Sequence, residues 1–137
     1  MHFDGFELST NRSRLDLDRI EAFLRASYWA AERPRDVISR TFEHSLCLGL
    51  YRIEDGLQVG FCRAVTDYST FAWIADVFVD PGLRGMGLGK RMVQSLFGLP
   101  ELAGVRLVLQ TNDAHGLYAQ FGFLPLFHTD RWMERAP

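Results

Sequence analysis

Apolar residues change their period along the chain, and each change marks a new element. Phe6 and Leu8 alternate with polar neighbours, which predicts a short edge strand. Leu17, Ile20, Phe23 and Leu24 then recur at helical spacing behind Asp16, a residue type that caps helix starts. Pro34 suits the first turn of a second helix, whose apolar stripe is Val37, Ile38, Thr41 and Phe42. From residue 46 the period shortens to that of strands. Residues 46–53 and 57–65 read as an antiparallel pair joined by Asp55-Gly56, a strong hairpin signal. After a turn at Asp67-Tyr68-Ser69, residues 70–79 form the third strand of a meander.

The pattern then changes again. Asp80-Pro81-Gly82 ends the strand, and Leu88, Met92, Val93 and Leu96 mark a helix stopped by Gly98 and Pro100. Residues 105–109 are almost continuously apolar, as in a strand covered on both faces. Strand, helix and apolar strand make a βαβ unit, so the two strands should be parallel with a right-handed crossover. A short helix over 114–120 and closing strands over 123–127 and 132–134 complete the reading. The fold class is α/β: a mixed central β-sheet, antiparallel meander plus parallel βαβ unit, flanked by helices. No repeat or linker divides the chain, so residues 1–137 read as one domain.

Composition narrows the function. With 47% hydrophobic and 23% charged residues, the chain has a globular balance. A net charge of −2 offers no electrostatic footprint for nucleic acid or an anionic membrane. The N-terminus lacks the basic and apolar regions of a secretory signal, and no apolar run approaches the roughly 18 residues of a membrane span. A cytoplasmic location is expected, with Cys47 and Cys62 as reduced core residues. No His/Cys/carboxylate spacing suggests a metal, and no serine elbow or Cys–His pair suggests a covalent intermediate.

The richest chemistry lies at Val79-Asp80-Pro81-Gly82-Leu83-Arg84-Gly85-Met86-Gly87-Leu88-Gly89-Lys90, where a strand hands over to a helix. The first amide N–H groups of a helix lack partners within it, and the helix dipole adds partial positive charge there. Glycines let a diphosphate approach those amides, and Arg84 and Lys90 add charge-assisted contacts. Two common phosphate patterns fail. The dinucleotide pattern needs glycine where Lys90 stands; the P-loop needs glycine at Arg84 and Ser or Thr at Arg91.

Arg84-Gly85-Met86-Gly87-Leu88-Gly89 instead resembles Q/R-x-x-G-x-G/A, the acetyl-CoA signature of the GNAT family of N-acetyltransferases. Downstream, Ala114, Leu117, Tyr118, Gly122 and Phe123 are similar to that family's A-x-x-L-Y-x-x-x-G-F. The resemblance spans the chain and implies the GNAT fold, acetyl-CoA as cosubstrate and no metal. It implies acetyl transfer to a primary amine of a small molecule or peptide. Residues 70–79 and 105–109 would splay into a V around the pantetheine arm. Backbone groups of Val77, Phe78 and Val79 would pair with its amides like an added strand. Arg84, Gly85, Met86, Gly87, Leu88, Gly89 and Lys90 would hold the diphosphate. The amine would attack the thioester directly, with a backbone N–H near Val79 as oxyanion donor and Tyr118 as general acid toward the thiolate.

Several positions depart from the family. Thr111 stands where many members carry a cofactor-contacting asparagine, and takes over that contact in this reading. Asp76 is the only carboxylate within residues 70–79, unusual in a strand. It is a catalytic base, a partner for the substrate ammonium, or the partner of a buried arginine such as Arg63. His115 reads as a polar residue of an exposed first helical turn. Tyr28, Trp29, Arg63, Phe71 and Trp73 are the candidate acceptor-binding residues. A second functional reading is an acetyl-CoA-binding sensor or partner-binding module with little catalysis. Strand edges near the C-terminus leave room for a homodimer.

Overall fold

A computed structural model describes all 137 residues. Six strands lie side by side in chain order: β1 (His2–Phe3), β2 (Phe6–Ser9), β3 (Leu46–Arg52), β4 (Gln58–Thr66), β5 (Phe71–Val79) and β6 (Arg106–Val108). Every neighbouring pair is antiparallel except β5 and β6, which are parallel. Between those two runs α3 (Leu88–Phe97), the crossover that the apolar pattern demands. The helices α1 (Leu17–Arg25) and α2 (Arg35–Glu43) precede β3, and α4 (His115–Ala119) follows β6.

Local chemistry explains the boundaries. The Asp16 carboxylate accepts the Arg19 N–H at 3.1 Å and caps α1. Pro34 stands just outside α2, and its extended backbone feeds the first turn. At the second meander turn, Asp67 accepts the N–H groups of Ser69, Thr70 and Phe71, which lets Tyr68 adopt a positive φ of 63°.

The two sheet faces carry separate cores. On one, Leu88, Met92 and Leu96 of α3 meet Leu48, Cys62, Ala72 and Ile74. On the other, Ile20, Leu24, Ile38 and Phe42 of α1 and α2 cover Cys47 and Phe61. Ile38 is fully buried, and a side chain of that size contributes about 1.5–3 kcal/mol by leaving water. Cys47 and Cys62 are free, buried and on opposite faces of the sheet. Burial pushes the Cys47 thiol up to about 11.

Two sequence expectations need correction. Phe6 and Leu8 do not form an edge: β1 pairs outside β2 through the Asp4–Gly5 turn, where both residues have positive φ. The closing strands at 123–127 and 132–134 are absent. Phe123 packs instead in an aromatic cluster, its ring 5.0 Å from Phe97 and 5.8 Å from Tyr118. Pro125, which has no N–H to donate, follows two residues later.

Candidate active site

The site exists because β5 and β6 part company. They pair only from Phe71↔Arg106 to Trp73↔Val108, and β5 then continues to Val79 with no partner on that side. The gap opens a cleft of about 1330 Å³ running from Tyr28, Trp29 and Arg33 past residues 73–79 to the start of α3. Val77, Phe78 and Val79 line it with backbone groups free of β6.

At the α3 end, six successive amides, residues 85–90, donate to no backbone or side-chain acceptor of the protein. Gly85 and Gly87 have φ of 86° and 75°, and the space beside each is open where a side chain would stand. L-residues adopt such φ reluctantly, so the turn depends on glycine to present its N–H groups. The α3 dipole adds positive potential at the same place. Asp80 holds the turn from behind: it accepts the Gly82 N–H at 2.9 Å and the Arg19 guanidinium at 3.1 Å. Those bonds keep its carboxyl below the ordinary value. Arg19 also donates to the Gln58 carbonyl, tying α1 to β4. Arg84, Gly85, Gly87, Leu88 and Gly89 line the cleft, whereas Lys90 and the 55% exposed Met86 are not among its lining residues. An unpaired amide row on a helix start suits a diphosphate.

Across the cleft from β5, α4 contributes Tyr118. Its ring is buried against Phe97 and Phe123, and its hydroxyl takes no partner within the protein. Burial pushes that hydroxyl up to about 12, so it keeps its proton at neutral pH. Thr111 lines the cleft, but its Oγ1 accepts the N–H groups of Asp113 at 3.3 Å and Ala114 at 3.0 Å. It organises the turn into α4. The Tyr28 hydroxyl accepts the Asn112 N–H at 3.1 Å, joining residues 26–34 to the loop after β6. His115 lines the cleft as well.

Asp76 sits on a bulge. Phe61 pairs with Phe78 and Arg63 with Ala75, so Cys62 faces two residues on β5, and Asp76 adopts φ 55°. Aspartate tolerates this conformation better than most residues. Its Oδ2 accepts Arg63 Nε and Arg33 Nη1, each at 2.7 Å, and its Oδ1 accepts the Trp29 indole N–H at 2.9 Å. Burial alone would raise this carboxyl; the two guanidiniums overcome it and hold the group below its ordinary value. Of the three roles read from sequence, the geometry is that of an arginine partner. Lowering its pKa makes this carboxylate a weaker base than an ordinary aspartate.

Trp73 lines the cleft, but Phe71 does not: it lies where β5 and β6 are still paired. Arg33 was not legible as a site residue. Its one sequence signal is its place four residues after Trp29, in the loop before Pro34. No three His, Cys, Asp or Glu side chains stand close enough to hold a metal ion.

A mixed sheet that opens beside a helix start of free amides defines an acyltransferase scaffold. The chain belongs to the acetyltransferase (GNAT) family, whose model matches residues 12–123, and it is an acyltransferase. An acetyltransferase homologue from Gibberella zeae is 33% identical over 135 aligned positions, covering 82% of this chain and 75% of the relative. A solved GNAT-family structure from Xanthomonas campestris pv. campestris is 40% identical and superposes with a TM-score of 0.93, over 99% of this chain and 96% of that one. An acetyltransferase from Clostridium acetobutylicum, solved with acetyl-CoA, shares the fold at 14% identity and a TM-score of 0.68, over 96% and 94% of the two chains.

Proposed function

We propose that the protein transfers acetyl from acetyl-CoA to a primary amine of a small molecule or peptide. The observation that carries this reading is the continuity of one cleft from the amide row at 85–90 to the Tyr118 hydroxyl. Acetyl-CoA, the molecule in the Clostridium acetobutylicum structure, supplies an activated thioester. The residues here fit its parts: free amides and Arg84 for the diphosphate, the open flank of 77–79 for the pantetheine amides.

In this reading Val77, Phe78 and Val79 hold the pantetheine as an added strand would, leaving little rotational freedom at the reacting end. Tyr118 stays protonated and carries the proton that the departing sulfur needs. Water in the cleft takes the proton released by the amine, since Asp76 is committed to its arginines. The test is twofold. Acetyl-CoA should raise the melting temperature as the logarithm of its concentration over Kd, with NAD giving no shift. Amines should then release CoA thiol. Stabilisation by NAD equal to that by acetyl-CoA, or thiol release independent of amine, overturns the assignment.

A further inference from the structure

The acceptor end of the cleft sets two guanidiniums, Arg63 and Arg33, against the buried carboxylate of Asp76. Arg63 is spent. Its side chain is 9% exposed, its Nε binds Asp76, and its Nη1 donates to Ser45 Oγ at 3.1 Å. Arg33 differs. It spends one N–H on Asp76, its side chain is 24% exposed, and it lines the cleft. A guanidinium has five N–H donors in a planar fork, so Arg33 retains an edge to offer.

Its position is fixed from both ends. The Arg33 carbonyl accepts Arg25 Nη1 at 2.5 Å, and Asp76 grips the head group. Beside it stand Trp29 and Tyr28, 41% and 59% exposed, with rings edge-on at 5.0 Å. Trp29 is itself held by its indole bond to Asp76. A preorganised guanidinium edge beside an aromatic wall matches an oxyanion on an apolar carbon frame. The same inventory disfavours a polycationic acceptor. On the facing side Asp113 is the one other cleft-lining carboxylate, and it is exposed.

Building on the reading of an amine acetyltransferase, we infer that the acceptor amine also carries a carboxylate, bound by the free edge of Arg33 with Trp29 and Tyr28 against its carbon frame. Attachment of acetyl to such an acceptor forms an N–C bond and breaks the thioester C–S bond. The amine proton leaves to solvent, the sulfur gains one from Tyr118, and Tyr118 takes one back from solvent, so the protein is unchanged at the end of the cycle. The carboxylate takes no part in these changes; it orients the amine.

The test uses matched amines that differ by the carboxylate: phenylalanine, phenylalaninamide and phenethylamine, and leucine, leucinamide and isoamylamine. The amides control for charge and bulk at the same carbon. The readouts are kcat/KM by thiol release, and binding of the corresponding N-acetyl compounds to the CoA-loaded protein. At least one carboxylate-bearing amine should exceed both its partners by tenfold or more, with the gain in KM. Arg33→Gln should collapse that ratio toward one, and Arg33→Lys, which keeps the charge opposite Asp76, should restore part of it. Binding of N-acetylphenylalanine or N-acetylleucine should follow the same order. A ratio at or below one throughout the panel overturns the inference, as does a ratio unchanged in Arg33→Gln. Phosphoethanolamine preferred over ethanolamine, with no carboxylate preference, also overturns it. Absence of turnover with every amine counts against the acetyl-transfer reading instead, and the binding arm still decides the Arg33 contact.

Discussion

Replacing Asp76 with asparagine isolates one charge in the site's support. The amide keeps the shape, the tolerance of φ 55° and an acceptor for the Trp29 indole, while Arg63 and Arg33 lose their counter-ion. Breaking a buried pair by removing one partner costs about 3–5 kcal/mol, because the remaining charge is stranded. Arg33 is a quarter exposed and can recover water, whereas Arg63 cannot, so the lower end, about 3 kcal/mol, is expected. For a chain of 137 residues that is roughly a 10 °C fall in melting temperature. Alanine should cost about 1–2 kcal/mol more, since it also resists positive φ. Urea unfolding at constant slope measures both. The pH dependence gives an independent check. The folded pKa of Asp76 lies below its unfolded value, about 3.9. Its contribution is therefore complete above that unfolded value and is lost as pH falls through the folded one. The gap between the native chain and the asparagine variant should thus narrow as pH drops below about 4. A variant within about 0.5 kcal/mol of native at pH 7, the range of an ordinary surface change, would show that the carboxylate does not hold the two guanidiniums.

Two other substitutions probe the chemistry. Tyr118→Phe keeps the ring in its cluster with Phe97 and Phe123 but removes the proton, so turnover should fall about 10²–10⁴-fold with acetyl-CoA affinity unchanged. Steady-state rates should show partial rescue by a thioester with a more acidic thiol, and near-native turnover would remove Tyr118 from the mechanism. Gly87→Asp should fold, with backbone strain of about 1–2 kcal/mol at φ 75°, yet lose thermal stabilisation by acetyl-CoA because a carboxylate faces the amide row. Retained affinity in the folded variant would move the diphosphate away from that turn.

The sequence was most informative where local rules act alone. The helical stripes of α1, α2 and α3, the meander and the parallel crossover follow from periodicity, caps and turn residues within a few positions of one another. The amide row was legible for the same reason, since glycines at a strand-to-helix junction state their own geometry. Long-range pairing was not legible. Arg33 and Asp76 lie 43 residues apart, and nothing in either neighbourhood announces the other. Phe123 has strand-forming character, but its burial against Phe97 and Tyr118 competes with pairing beside the three-residue β6 and wins. The Asp4–Gly5 turn carried a hairpin signal like that of Asp55-Gly56, and the strand before it is only two residues long.

The bulge at Asp76 connects these observations. Along β5, Ala72 and Ile74 point into the core beneath α3, and strict alternation would send Asp76 after them, toward Leu88 and Met92. The extra residue breaks that parity. Asp76 turns to the opposite face, where Arg63 and Arg33 await it, and Val77 and Val79 take its place beneath α3. Phe78 then falls on the other side, 4.3 Å from the Phe23 ring and 6.0 Å from Phe61. Bulges increase strand twist and bend the strand that carries them. Here the extra residue lies just beyond Trp73, the last position at which β5 pairs with β6. One added residue therefore both houses the buried carboxylate and directs the second half of β5 away from β6. The divergence leaves residues 77–79 unpaired on that flank, and it leads the chain to the Asp80 turn that presents the amide row. The support for Arg33 and the cofactor cleft thus share one structural cause.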